Sequence, residues 1–314
     1  MMLSKRGLEA SFAWIFSIVA GSAIIFLAIY ATTQFISTER EIINTETGRQ
    51  IENLLTPVET NLESGRVVPV DFSVETRVFN GCRTEGNFGE QRISAATKSG
   101  IGEAWQKPGL ESISYNRYLF SEDVLQGERM YLMAKNFEMP YKVASVIFVW
   151  TDNQSYCFVN PIREVEDDIK ALKPENINIT SSVKDCLKGD KVVCFASSEK
   201  GCDIKVFPDA NRVEKEFKNL YYEDALIYGA IFADSEIYEC QVKRLMKRAG
   251  ELAFLYADKT EFLENRGCSS NLGNELRSYS AILNNLNNSR ELSFANAAAD
   301  ELGRRNELLS CELF

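Results

Sequence analysis

Twenty-nine consecutive positions, from Ala10 to Thr38, carry no charge. At about 1.5 Å per residue, a helix of that length outruns the hydrocarbon core of a bilayer, about 30 Å. A secretory signal has an apolar stretch of only about 7–15 residues and a small-x-small cleavage site. Here the run is longer, and the best such site, near Ala31, has Ile29 where a small residue is needed. The run therefore reads as a permanent span. Lys5 and Arg6 precede it, whereas Glu39, Arg40 and Glu41 follow it. Cations beside a membrane are retained on the cytoplasmic side, so the N-terminus is expected inside and about 275 residues outside. "VASVIFVW" (Val143–Trp150) and "ALIYGAIFA" (Ala225–Ala233) are too short to span and read as core strands. The expected product is a single-pass cell-membrane protein whose lipid contact is made by one helix.

All eight cysteines, Cys82, Cys157, Cys186, Cys194, Cys202, Cys240, Cys268 and Cys311, lie after the span. An even number on the outer side of a membrane points to disulfides, although eight cysteines allow 105 pairings. Zinc sites want closely spaced ligand pairs, and the chain has no Cys-x-x-Cys. The even spacing of Cys186, Cys194 and Cys202 points to a hairpin or loop staple. Histidine is absent, which removes Ser-His-Asp and Cys-His catalysis and histidine metal sites. No phosphate loop or Gly-x-Gly-x-x-Gly pattern occurs, and "GCRTEGNFGE" (Gly81–Glu90) reads as a turn. No cofactor is expected. A net charge of −10 argues against nucleic acid as a partner. Asn-x-Ser/Thr triplets at Asn153, Asn178 and Asn287 are candidate glycosylation sites.

The pattern divides the chain into a cytoplasmic segment (1–9), the span (10–38), a helical stalk (39–65), a mixed α/β ectodomain (66–235) and a helical region (236–314). The fold class is thus α+β. In the stalk, Ile43, Ile51, Leu54, Leu55 and Val58 repeat at helical spacing, with interruptions expected at Gly48 and Pro57. Val68, Val70, Phe72 and Val74 alternate with polar residues, the signature of a half-buried strand, and Pro69 places it at an edge or a strand start. Further strands are expected at 91–97, 112–120, 129–134, 143–150, 156–159, 176–179, 191–195, 203–207 and 225–232. "REVEDDIKAL" reads as a helix with Val165, Ile169 and Leu172 on one face. "TSS" (Thr180–Ser182) offers a cap for the segment that follows. The last portion reads as a long helix with Ile237, Leu245, Ala249, Leu252 and Tyr256 inward, then helices over 272–286 and 291–309. If those two form a hairpin, Cys268 meets Cys311 and the C-terminus is pinned.

Within the span, Glu9, Ala13, Ser17 and Gly21 recur every fourth residue, and Ala28 and Thr32 continue the face. Small residues let membrane helices approach closely, so this stripe is a candidate for lateral association. Glu9 at the membrane edge either takes a cation partner or snorkels beside Lys5 and Arg6. "KRLMKR" (Lys243–Arg248) is a cationic patch on an acidic chain, read as the solvated face of an amphipathic helix with Leu245 and Met246 inward rather than as a lipid-headgroup site. "EVEDD" (Glu164–Asp168) lacks the spacing of a calcium loop and reads as a solvated acidic first turn. Neither Cys157 nor Tyr221–Tyr222 is paired with a base, so no active site is expected.

"KRG" followed at once by a hydrophobic helix resembles the class III signals of archaeal type IV pilin-like proteins. The resemblance implies cleavage after Gly7, a mature chain beginning at Leu8, and packing of the helix with its copies. That family's glutamate stands fifth in the mature chain, whereas Glu9 would stand second. The whole chain, through "KRGLEASFAWIF", "ALIYGAIF", "YECQVKRLMKR", "RGC" and "SCELF", also resembles an uncharacterised family of archaeal single-pass, membrane-anchored surface proteins. Three functional readings follow. The first is a non-enzymatic anchored protein with a structural or partner-binding role in a cell-envelope assembly. The second is a pilin-like filament or filament-machinery subunit. The third is an anchored ligand-binding or enzymatic domain.

Overall fold

The computed structural model describes residues 12–61, 67–98, 104–195, 200–268 and 270–314. Helix α1, Phe12–Asn61, runs unbroken for 50 residues, through both Gly48 and Pro57. At Gly48 the expected interruption is offset by packing. The glycine is buried, and a Cβ there would lie 3.7 Å from the Ala95 backbone nitrogen, so the helix passes close to a strand.

That strand belongs to a six-stranded sheet built from β1 (Val67–Arg83), β2 (Glu90–Thr97), β3 (Ser112–Ser114), β4 (Leu119–Phe120), β5 (Val124–Glu138) and β6 (Lys142–Thr151). Their order is β3-β2-β1-β5-β6-β4, antiparallel except for β4 beside β6. Pro69 stands near the start of β1, where the strand pairs with β5 alone and needs no second ladder. Alternation sends Tyr131, Met133, Phe148 and Trp150 to one face and Met130, Leu132, Ile147 and Val149 to the other. Both faces are covered, which is why β6 reads as a continuous apolar run. The second face carries a separate small core that includes Ile51 of α1.

The second sheet contains β7 (Tyr156–Val159), β8 (Ile177–Thr180), β9 (Lys191–Phe195), β10 (Ile204–Phe207), β11 (Arg212–Lys215) and β12 (Lys218–Tyr221), in the order β12-β11-β10-β9-β7-β8. Helix α2, Arg163–Leu172, connects the parallel strands β7 and β8; of the expected inward face, Val165 and Ile169 are buried and Leu172, at the helix end, is half-buried against the core. The expected Ser182 cap is present: its Oγ accepts the Lys184 N–H at the head of a 3₁₀ turn. On the sheet's outer face Cys157, Val159, Val192 and Cys194 form a minor core, closed by the Cys157–Cys186 and Cys194–Cys202 disulfides.

The segment expected as a strand at Ala225–Phe232 is instead helix α3, Leu226–Phe232. Its seven residues are all buried, because it lies between β6 of the first sheet and β11 of the second. A helix apolar all round and a buried strand look alike over so short a run. Gly229 makes the fit, since a Cβ there would come 2.6 Å from the Phe120 ring. Phe232 stacks on Trp150 with centroids 4.8 Å apart. The long helix α4, Ser235–Glu264, follows and touches both sheets. Helices α5 (Gly273–Asn284) and α6 (Leu292–Glu307) complete the chain, with Arg305 of α6 paired to Glu275 of α5 at 2.7 Å. The Cys268–Cys311 bond expected from the sequence is formed. Cys82–Cys240 ties β1 to α4.

Candidate functional site

The most unusual surface belongs to the first half of α1. Among the described residues one helical stretch, Trp14–Gln34, is long and apolar enough to cross a membrane, and none of it is buried within the molecule. Trp14, Phe16, Ile24 and Phe26 are each more than 60 % exposed, so the protein itself covers none of this apolar surface. A core helix of a soluble protein would be covered. The polar side chains within it turn back on their own helix. Ser22 donates to the Val19 carbonyl at 2.9 Å, Thr32 to Ala28 at 2.7 Å and Thr33 to Tyr30 at 2.8 Å. Such hydroxyls need no water.

The second half of α1 is docked rather than free-standing. Asn44 is buried and uses its full hydrogen-bonding capacity. Its amide donates to the Lys107 carbonyl at 2.8 Å and Gln106 Oε1 at 3.3 Å, and its oxygen accepts from Thr97 Oγ1 at 2.9 Å and Thr97 N–H at 3.2 Å. The Leu110 N–H donates to Thr45 Oγ1 at 3.0 Å. Gly109 lies so close that a Cβ would be 2.4 Å from the Thr45 nitrogen. With Gly48 and Ile51 these contacts fasten α1 to β2 and the first sheet.

Of the association stripe, Glu9 lies outside the described residues, as do Gly7 and Leu8 at the processing position. Ala13 is helical, Ser17 is exposed, and Gly21 has open space where a side chain would stand. Ala28 and Thr32 are exposed as well. The candidate glycosylation residues Asn153, Asn178 and Asn287 are all exposed. The eight cysteines form four disulfides, so Cys157 is not a reactive thiol. Cys186, one of the evenly spaced three, bonds to Cys157 rather than within its own loop. Tyr222 is pushed up to about 12 by burial, the wrong direction for a nucleophile or a general base near neutrality.

The reading of "KRLMKR" as a solvated face is corrected. Leu245 and Met246 do point inward, but Arg244 is fully buried between them and the first sheet. Its Nε donates to the Phe88 carbonyl at 3.1 Å, Nη1 to the Arg117 carbonyl and Gln241 Oε1, both at 2.8 Å, and Nη2 to the Tyr115 carbonyl at 3.1 Å. Burial lowers its pKa to about 10, still charged at neutral pH. Lys247 donates to the carbonyls of Thr84 and Gly86, and Arg248 to that of Val143. Arg244 and Lys247 thus clasp carbonyls of the connections between strands, and Arg248 one of strand β6. The acidic "EVEDD" run differs from expectation at one residue: Asp168 accepts from Tyr228 and pairs with Lys135 instead of facing water. Among the described residues no cluster of His, Cys, Asp and Glu could hold a metal.

Asn44 went unread in the sequence, and Arg244 was read only as part of a solvated cationic run. An asparagine just beyond an apolar span and a cation within a helical apolar stripe are the available signals, and each needs the tertiary partner to acquire meaning. No protein-family profile matches the chain, and no curated protein or solved structure matches it.

Proposed function

We propose that this is a non-enzymatic single-pass membrane protein, with its N-terminus cytoplasmic and its disulfide-stapled domain on the outer side as a structural or partner-binding part of a cell-envelope assembly. The observation that carries the reading is the continuity of α1. One helix joins a wholly exposed apolar stretch to a segment sewn into the folded domain by Asn44. Cutting after the apolar stretch would leave the docked half as a helix start without an anchor, whereas keeping it holds the domain at the membrane. Four disulfides fit an oxidising compartment.

The same continuity favours one second reading, a pilin-like subunit, in which copies pack through the stripe containing Ala13, Ser17 and Gly21. Intact mass and N-terminal sequencing of protein from its own membrane, after alkaline carbonate washing, test both. Retention in the membrane with a start at Met1 or Met2 is the expected outcome. A start at Leu8 together with filaments in electron micrographs moves the pilin-like reading to the front. A carbonate-soluble chain beginning near Thr32 would overturn anchoring altogether.

A further inference from the structure

We infer that the cleft at the N-terminus of α4 binds an oxyanion, a carboxylate or phosphate, carried on a hydroxyl-rich ligand. This goes beyond the anchoring reading. The cleft has a volume of about 840 Å³ and is walled by the end of β1, by β12, by the first turns of α4 and by residues 287–290. Volumes of this order suit small-molecule sites.

Its chemistry is set by what the protein has already paired and what it has not. Asp234, at the helix N-cap, makes no cap bond with its side chain, which instead accepts the Asp123 N–H at 2.7 Å. The first turn of a 30-residue helix therefore presents uncapped N–H groups and the positive end of its dipole. Ser235, the first helical residue, lines the cleft. It is 4 % exposed, and its Oγ is a buried polar atom with no hydrogen-bond partner. A buried hydroxyl in that condition costs the free protein stability, and an oxygen of a ligand seated against the first turn would satisfy it.

The charges around it favour an anion. Glu236 is tied to Lys218 at 3.5 Å, and Glu239 accepts from the Ser289 N–H and Oγ at 2.7 and 2.6 Å. Arg83, Lys243 and Arg290 also line the cleft and, among the described residues, pair with no carboxylate, while Glu85 and Glu239, the latter bonded only to a neutral serine, are the acids opposing them. Beyond this charged end the wall is amide and hydroxyl, from Asn219, Asn287, Asn288 and Thr84. That lining suits the hydroxyls of a sugar better than an apolar body.

The test is calorimetric titration of the full-length protein in a polyoxyethylene detergent at fixed ionic strength, with sodium glucuronate, inorganic phosphate and neutral glucose as probes. Saturable binding of glucuronate is expected, tighter than phosphate, with glucose far weaker. Phosphate binding more tightly than glucuronate would keep the oxyanion site and assign it to phosphorylated ligands. Ser235→Ala and Lys243→Gln are each expected to weaken anion binding about tenfold, the loss of one charge-assisted contact. Ser235→Ala without ligand should melt no lower than wild type, since it removes an unpartnered hydroxyl. No saturation by either anion up to about 10 mM, in the range of the weakest specific sites, would overturn the inference. So would glucose matching glucuronate, or unchanged affinity in both variants.

Discussion

The two longest helices invert each other. Helix α1 exposes its apolar side chains over Trp14–Gln34, and α4 buries a guanidinium at Arg244. Each would look misassembled if water were the only solvent. On the anchoring proposed above, the medium for α1 is hydrocarbon, where exposed Trp14 and Phe26 are at no disadvantage and the hydroxyls of Ser22 and Thr32 are served by their own backbone. For α4 the medium is a ring of turn carbonyls from Tyr115, Arg117 and Phe88, which supply to Arg244 what water would have supplied. Residue polarity therefore reports the required surroundings, and only the fold says which surroundings are provided.

Three substitutions bear on that contrast. The largest effect is expected at Arg244→Met, which keeps the bulk but leaves three carbonyls and Gln241 Oε1 without their donor. A loss of about 3–5 kcal/mol in denaturant unfolding follows from orphaned buried groups. A loss below about 1 kcal/mol would mean that water replaces the clasp, and the contrast with α1 would dissolve.

Lys215 extends the comparison to a cation that can surrender its charge. It is buried at the end of α3, where its Nζ donates to the carbonyls of Ala233 and Ile231. Burial, with nearby Lys191 adding repulsion, lowers its pKa from 10.5 to about 8. The folded pKa lies below the unfolded one, so between these values the unfolded chain binds the extra proton and stability rises with pH. The increment is lost again as pH falls through about 8, and it amounts to at most about 3 kcal/mol. Unfolding midpoints measured from pH 7 to 11 should show that rise in wild type and its absence in Lys215→Met. Parallel profiles would refute it.

The smallest of the three is Asn44→Leu, which removes four hydrogen bonds that fasten α1 to β2 and its following loop. About 2 kcal/mol of docking stability should be lost. Hydrogen exchange should quicken over residues 44–51 and at Thr97 while the α4 clasp stays protected. Equal acceleration in both places would show that the two helices do not stabilise separate parts of the domain.

Much of this architecture was legible where pattern and environment agree. The alternation of Val68, Val70, Phe72 and Val74 announced β1, and the face of Val165 and Ile169 announced α2. The Cys268–Cys311 bond followed from the expected return of two helices. Legibility failed where two environments leave one pattern. "LIYGAIF" is apolar throughout and fully buried, a pattern that does not separate helix from strand, and its close fit of Gly229 against Phe120 exists only in the tertiary structure. The β11–β12 hairpin escaped notice because its turn residues, Glu216 and Phe217, adopt positive φ without the Asn-Gly pair that usually marks such a turn. The α4 cleft was unreadable for a further reason. Arg83, Lys218, Ser235 and Ser289 are brought together by topology, and no local run contains them.

The Cys82–Cys240 bond joins thiols 158 residues apart, and both Cys157–Cys186 and Cys194–Cys202 lie nested inside it. During synthesis Cys82 appears first, and four other cysteines emerge before its partner is made. Pairing in order of appearance would join Cys82 to Cys157 and trap the chain. Correct maturation therefore has to wait: the thiol of Cys82 must stay open, or be released by exchange, until α4 reaches β1. Closure of the Cys82–Cys240 bond is thus a late event, governed by the arrival of the C-terminal third, whereas the two nested bonds have both their thiols before Cys240 is made.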